Sequence, residues 1–340
     1  MNSKKRIIDI ISLFLTFLVI TFLLIWPDKI SNGIADGIMI CGNVLIPAIF
    51  PFTVLSLTLT ESGVIKKIGK NSFLFSLSVV FLSIIGGYPI GAKIISESEN
   101  NGLISRQFAE KLVMVSINAS PAFVITAVGE KILGSVMLGI LLFVAHILST
   151  IMLFFVLQPY KNQEVKHSKT ISLPFSEGFV TSVAKSSAAM IGICSYVILF
   201  SGIINLITEL KINRKIIVSI LEITNAVIKN DNIYAISFYL GFSGFCIIMQ
   251  VLSIGKNYIK KPLKIIIFRI IHGFLSIINL KVLLTVLPQS ADVLSNGIKF
   301  TYKAVTQTTI FSLLLIALSV MFIYSLLKKK YCGKINLDIW

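Results

Sequence analysis

The stretch SIIGGYPIGAKIISE, residues 83–97, sets Gly86, Gly87, Tyr88, Pro89, Gly91 and Lys93 inside a run that is otherwise apolar enough to cross a membrane. Proline removes an amide donor and clashes with the preceding turn, and glycine lowers the cost of leaving helical geometry. The helix is therefore expected to unwind near Gly87, with a new half-helix starting at Pro89 or Ile90. The first amides of that half-helix have no intrahelical acceptor and carry the positive end of its dipole. Lys93, one turn on, adds a full charge. Such a terminus can hold an anion or a polar ring. A lysine in hydrocarbon costs about 2.5–3.5 kcal/mol, and bare backbone groups cost several more, so the break is expected to line a hydrated cavity enclosed by protein. The plainer reading is a simple kink, with Lys93 reaching the outer interface beside Glu97.

A second break follows in SINASPAF, residues 116–123, where Ser120 has the chemistry of an N-cap and Pro121 that of a first helical residue. Asn118 and Ser120 would add neutral hydrogen bonds to the same site. Between the breaks, ISRQFAEKLVMVSI is amphipathic and suits either an interfacial helix or part of a re-entrant hairpin. Further on, LEITNAVIKND places Glu222, Asn225 and Lys229 on one helical face, either solvated or, with Thr224, lining a cavity. Tyr239, Ser243, Cys246 and Gln250 form a polar stripe at helical spacing, serving as interhelical glue or as a solute path. Arg269 is expected to snorkel to cytoplasmic headgroups. His272 suits an interhelical hydrogen bond or a proton shuttle, and His146 has no acidic neighbour in sequence.

No HExxH, GxSxG or P-loop motif is present, so an enzyme is not expected. Cys41, Cys194, Cys246 and Cys332 are far apart and suit packing. With three histidines and dispersed cysteines, neither a metal site nor a cofactor is expected.

These residues need elements to hold them, and the composition says which. Of 340 residues 55% are hydrophobic and only 14% charged, against about 25% charged in a soluble domain. A hydrocarbon core of about 30 Å needs about 20 apolar residues per helix. Eight segments qualify: 7–26, 34–59, 73–95, 135–157, 187–207, 233–254, 265–286 and 305–327. The fold class is thus all-α, a polytopic bundle with broken or re-entrant helices. The first segment follows a basic start without a small-residue cleavage site and is expected to stay as an anchor.

The net charge of +16 comes from lysines and arginines scattered through short loops, which argues against nucleic acid as a partner. Segments on the N-terminal side of the membrane hold 18 Lys or Arg in 70 residues, and the opposite segments hold 10 in 89. By the positive-inside rule both termini are cytoplasmic. The chain then divides into an anchor at 1–33, a first repeat at 34–157, a lysine-rich cytoplasmic linker at 158–186, a second repeat at 187–286, and a final helix with a basic tail at 287–340. The stretch 44–63 followed by the break at 86–91 pairs with 195–210 followed by the glycine-broken 239–253, in opposite orientation. Such inverted, interrupted pairs point to a binding site at mid-membrane.

The motifs LIPAIFPFTVLS, GGYPIGAKI, NASPAFVITAVG, LLFVAHIL, LEITNA and QVLS resemble those of the sporulation integral membrane protein family of the YlbJ type. The resemblance covers residues 40 to 275. It implies a multi-pass protein of endospore-forming bacteria, in the mother-cell or forespore membrane, needed for resistant spores. It also implies a nucleoside-recognition, or Gate, domain. Family members often carry glycine after the asparagine of the ExTN element, where Ala226 stands here. The expected function is a permease or gated pathway for a small polar solute, nucleoside-like or anionic. The alternative is a scaffold of the spore envelope that transports nothing. The expected partners are the lipid bilayer, the solute, and further copies of the chain or other spore-membrane proteins.

Overall fold

The computed structural model describes residues 26–63, 71–166, 173–209, 214–228 and 232–286, with scattered helical positions between 13 and 25. Among them every regular element is a helix, and five helical stretches are long and apolar enough to cross a membrane. The expected all-α membrane bundle is therefore what the chain builds. The expected spans at 7–26 and 305–327 fall largely or wholly outside the described residues.

Helix α1 (Pro27–Glu61) runs antiparallel to α7 (Phe175–Glu209). At one end the Asn205 amide donates to Lys29 O at 2.7 Å; at the other, Leu173 N donates to Glu61 O at 3.1 Å. Gly33 allows the approach, because a Cβ there would sit 2.6 Å from Ser201 O. Small residues at such a seam let helices close up where lipid offers no hydrophobic drive. Call the end with Glu61 the near end and the end with Lys29 the far end.

Helix α2 (Ser72–Gly86) starts where Asn71 caps Phe73 N and Leu74 N at 3.0 and 3.1 Å, an interaction worth about 1 kcal/mol. It ends at Gly87 (φ +74°), a conformation that favours glycine. Helix α3 (Ile90–Asn100) then turns back along α2, so that a Cβ on Gly91 would lie 2.7 Å from that of Ser83. Both arms open at the near end: Ser72 Oγ donates to Gln163 O at 2.6 Å, and Lys166 N donates to Leu103 O at 2.8 Å.

Helix α4 (Arg106–Val113), capped by Ser105, leads back to mid-bundle, where residues 114–120 are irregular. From there α5 (Ala122–Ile132), wound as a π-helix, continues to the far end. It returns as α6 (Val136–Leu157), packed so closely that a Cβ on Gly129 would lie 2.5 Å from Gly139 Cα.

The second half repeats this order from the opposite end. After α7, α8 (Arg214–Leu221) and α9 (Ile223–Ile228) form a hairpin whose tip rests on Gly244. Helices α10 (Ile233–Phe242) and α11 (Gly244–Ile254) form a crossing interrupted at Ser243, whose φ is +75°. Helix α12 (Pro262–Val286) closes the half. Each half is thus a long crossing, a dipping hairpin, a broken crossing and a second long crossing.

Several expectations are corrected. Segment 73–95 is a hairpin of two antiparallel helices whose arms both open at the near end, rather than one continuous helix; residues 106–132 make the crossing of the bundle from the near end to the far end instead, so 96–134 do not lie at one end. The amphipathic 104–117 stretch is the first arm of that crossing. Glu222 faces no continuous helix, because the helix breaks at that residue, and Lys229 lies outside the described residues. Residues 175–186 are helical rather than linker, and 27–33 belong to α1. The break at Gly87 pairs with that at Glu222, and the break at 114–120 pairs with Ser243.

Candidate functional site

All four interruptions meet at mid-bundle. At the first hairpin tip Tyr88, 5% exposed, donates its hydroxyl to Leu240 O at 2.6 Å, reaching from the first half into the broken α10. Gly87 packs on Ser120, and a Cβ on Gly86 would meet Ile90 at 2.9 Å. The half-helix expected to start at Pro89 or Ile90 starts at Ile90, with Pro89 at its N-cap. Ser120 accepts from Phe123 N at 3.2 Å, the expected cap of the second break.

Asn118 is a hub. Its amide donates to Ser83 Oγ (2.8 Å) and Val115 O (3.0 Å), and its oxygen accepts from Thr150 Oγ1 (2.8 Å). Thr150 also meets His272 Nε2 at 3.0 Å, and the rings of His272 and His146 lie 4.6 Å apart. His146 Nε2 accepts from Ala119 N at 3.2 Å, which places the proton of the neutral ring on Nδ1. That Nδ1 has no protein partner.

At the second hairpin tip the buried Glu222 carboxylate accepts from Thr224 N (2.9 Å), Asn225 N (2.8 Å) and the Asn225 amide (2.9 Å). Its role is that of a cap for α9. Tyr88, Glu222, Thr224 and Gln250 line one small cavity together with Leu45 and Phe123. Its volume is about 20 Å³, room for about one water. Thr224 Oγ1 and Gln250 Oε1 are buried without a protein partner. Ser243 is buried at the α10–α11 break.

Arg269 was missed as a site residue. It is 1% exposed rather than snorkelling, and it donates to Gly241 O at the end of α10. Its Nε has no acceptor, and no carboxylate forms an ion pair with it among the described residues. Tyr88, His146 and His272 lie within its electrostatic reach. Helix C-terminal carbonyls carry about half a negative charge, so the guanidinium is only partly compensated.

Lys93 sits away from this junction. It donates to Lys185 O at 2.8 Å, beside Lys185, which pairs with Glu61 (2.5 Å) and Glu97 (3.3 Å). That cluster ties α3 to α1 and α7 at the near end. On the other flank Tyr258 donates to Ala92 O at 3.2 Å. Burial, and then the charge of Glu99, push its phenol above the ordinary tyrosine range, so it stays a donor.

No family model matches the chain, and no solved structure matches it. Over 187 residues it is 27% identical to the sporulation integral membrane protein YlbJ of Bacillus subtilis (strain 168). The match covers 51% of this chain and 46% of that protein, so the chain spans about half the length of the relative it matches. The likeness to YlbJ-type sporulation integral membrane proteins carried by the motifs is thus shown, over about half of the chain.

Proposed function

We propose that the chain is a permease or gated pathway for a small polar solute, an anion in preference, in a membrane of the sporulating cell. The observation that carries this reading is the convergence of four chain interruptions on one buried polar junction beside an incompletely compensated arginine. Irregular backbone at membrane depth is tolerated only where it is enclosed by protein or lines a water-filled cavity, and intramembrane charges mark solute pathways by default. Gly86, Gly87, Tyr88, Pro89 and Gly91 shape the first tip of the site. Asn118, Ser120, Glu222, Thr224, Asn225, Ser243 and Gln250 complete it, with Arg269 added and Lys93 assigned to the near-end cluster. A nucleoside-like ring, implied by the Gate-domain resemblance, is the second solute class to test.

A cavity of about 20 Å³ holds a water and no solute. Admission therefore requires the two halves to move against each other and part the hairpin tips, the rocking expected of inverted repeats. Placing Arg106 and Lys111 at the near end moves two positive charges to the side already rich in lysine. This supports a cytoplasmic near end and cytoplasmic termini.

The test is uptake and efflux of a panel of small anions and nucleosides by purified protein in liposomes. Arg269→Gln and Glu222→Ala are compared at matched, verified insertion. Flux of at least one panel member, cut more than tenfold by Arg269→Gln, supports the reading. If no panel member moves while spore-membrane partners are recovered with wild-type protein and lost with the variants, the scaffold reading replaces it.

A further inference from the structure

We propose that His272 takes up a proton when an anion settles beside Arg269, so that anion and proton occupy the junction together. This coupling rests on the transport reading for its anion and adds a proton to it.

The hydrogen bonds around His272 fix where its protons lie. Asn118 turns its amide nitrogen to Val115 O at 3.0 Å, and a carbonyl only accepts, so the Asn118 oxygen faces Thr150. Thr150 has one proton, and it goes to that oxygen at 2.8 Å or to His146 O at 3.1 Å, both acceptors. Toward His272 Nε2, at 3.0 Å, the Thr150 hydroxyl is left to accept, which puts the proton of the neutral ring on Nε2. Nδ1 then carries a lone pair, with Ser276 Oγ 3.5 Å away.

Ser276 Oγ stands 3.3 Å from Ser149 Oγ, and Ser149 gives its own proton to Ala145 O at 2.7 Å. Ser149 is thus open to a proton from Ser276, and Ser276 to one from Nδ1. Both sides of the ring end on acceptors, the set that suits an imidazolium, which donates from both nitrogens. His146, with its ring centre 4.6 Å away, is built the other way. Its Nε2 accepts from Ala119 N at 3.2 Å, and a proton there would forfeit that bond. Of the two histidines, only His272 is placed to hold a charge.

The groups that act on His272 electrostatically are Arg269, about one turn before it on α12, and His146 on α6; α10 meets it with Gly241, which has no charge. Arg269 and His272 are both 1% exposed, so a second positive charge would face the first across little water. An anion changes that balance. Arg269 Nε is buried without an acceptor and is a donor free to hold one. Room for the anion comes from the same parting of the tips that admission requires. With a negative charge at Arg269, a proton on His272 restores the net charge of the arginine alone. Linkage makes the effect reciprocal: the proton tightens the anion by the same factor as the anion tightens the proton.

The test reads the ring itself. The chain holds three histidines, so nitrogen-15 NMR of the histidine-labelled full chain in nanodiscs separates neutral from charged rings. Chloride, nitrate and methanesulfonate, anions of strong acids that bring no proton of their own, replace gluconate at constant ionic strength and fixed pH. With at least one of them, a saturable change of one histidine to the imidazolium pattern is expected. The half-saturating concentration should fall by up to about tenfold for each unit by which the pH is lowered. The signal should vanish in His272→Gln and in Arg269→Gln, and persist in His146→Gln. Ser276→Ala removes an acceptor that only the charged ring needs; it should raise the half-saturating concentration severalfold, and it serves where His272→Gln does not fold. No imidazolium with any of the three anions, or one that appears equally in His272→Gln, overturns the proposal. Flux of the same anions in liposomes separates the two readings: flux without an imidazolium removes the proton coupling alone, and an imidazolium without flux removes the permease alone.

Discussion

Gly241→Ala tests the junction at its tightest seam. A Cβ at 241 would lie 2.6 Å from Gly273 Cα, 2.8 Å from Gly273 N and 3.0 Å from His272 Nδ1. The first two are backbone atoms and cannot swing aside. Carbon atoms pack comfortably at about 3.5–4.0 Å, so α10 and α12 must separate by about 1 Å. Overpacking of this kind costs about 1–3 kcal/mol. The same displacement strains the bonds to the neighbouring carbonyls: Tyr88 to Leu240 O at 2.6 Å, and Arg269 to Gly241 O. Losing one of them removes about 0.5–1.5 kcal/mol more. Alanine gains about 0.5–1 kcal/mol over glycine within a helix, which leaves a net destabilisation of about 0.5–4 kcal/mol. Gly192→Ala is the matched control, since nothing lies within 4 Å of its Cβ and only the helical gain applies. The assay is the thermal midpoint of both proteins in one detergent, with solute flux measured in parallel. A Gly241→Ala midpoint at or above that of Gly192→Ala would refute the close approach of α10 and α12 and the geometry of the junction with it.

Two further outcomes follow from the same contacts. Asn118→Leu strips Ser83 Oγ and Thr150 Oγ1 of a buried partner and should cost about 1–3 kcal/mol, read as a lowered thermal midpoint. In a background without native cysteines, Gln107→Cys should react with an impermeant thiol reagent from the same side as Lys161→Cys, and Glu130→Cys from the opposite side. If Gln107 and Glu130 label together, 73–95 crosses and the hairpin is wrong.

The chain breaks were legible because their causes are local. Gly87 and Pro89 interrupt a helix wherever they stand, and Ser120 before Pro121 starts one. What the residues could not say was where the chain goes after the break. A crossing of 23 residues and a hairpin of two short arms have the same length and the same apolarity. Long-range contacts separate them, that of Gly91 with Ser83 and Ser116 and that of Ser72 with Gln163 among them, and those contacts form after folding. Glu222 shows the opposite failure. Helical spacing placed it on a face, yet its carboxylate caps the following amides, a use of acidic residues at helix starts that the ExTN pattern was able to suggest. Arg269 carried no local mark. Its acceptor, Gly241 O, is 28 residues away, and distance from a span end is a poor guide to depth when the neighbouring helix is broken.

The breaks also explain why the two halves must act together. A helix end leaves up to four backbone groups unpaired, and in hydrocarbon each must find a partner within the protein. Here the carbonyl end of α10 is served by Tyr88 from the other half and by Arg269 from α12, while the amide of Ala119 is served by His146 from α6. Tyr88 is therefore both a wall of the cavity and the donor that closes the opposite repeat. Parting the tips exposes Leu240 O, and the exposure is tolerable only if water or a solute takes the place of the phenol. On the proposed pathway, opening the cavity and filling it would then be a single event, which is the physical requirement for a pathway that stays sealed when nothing is bound.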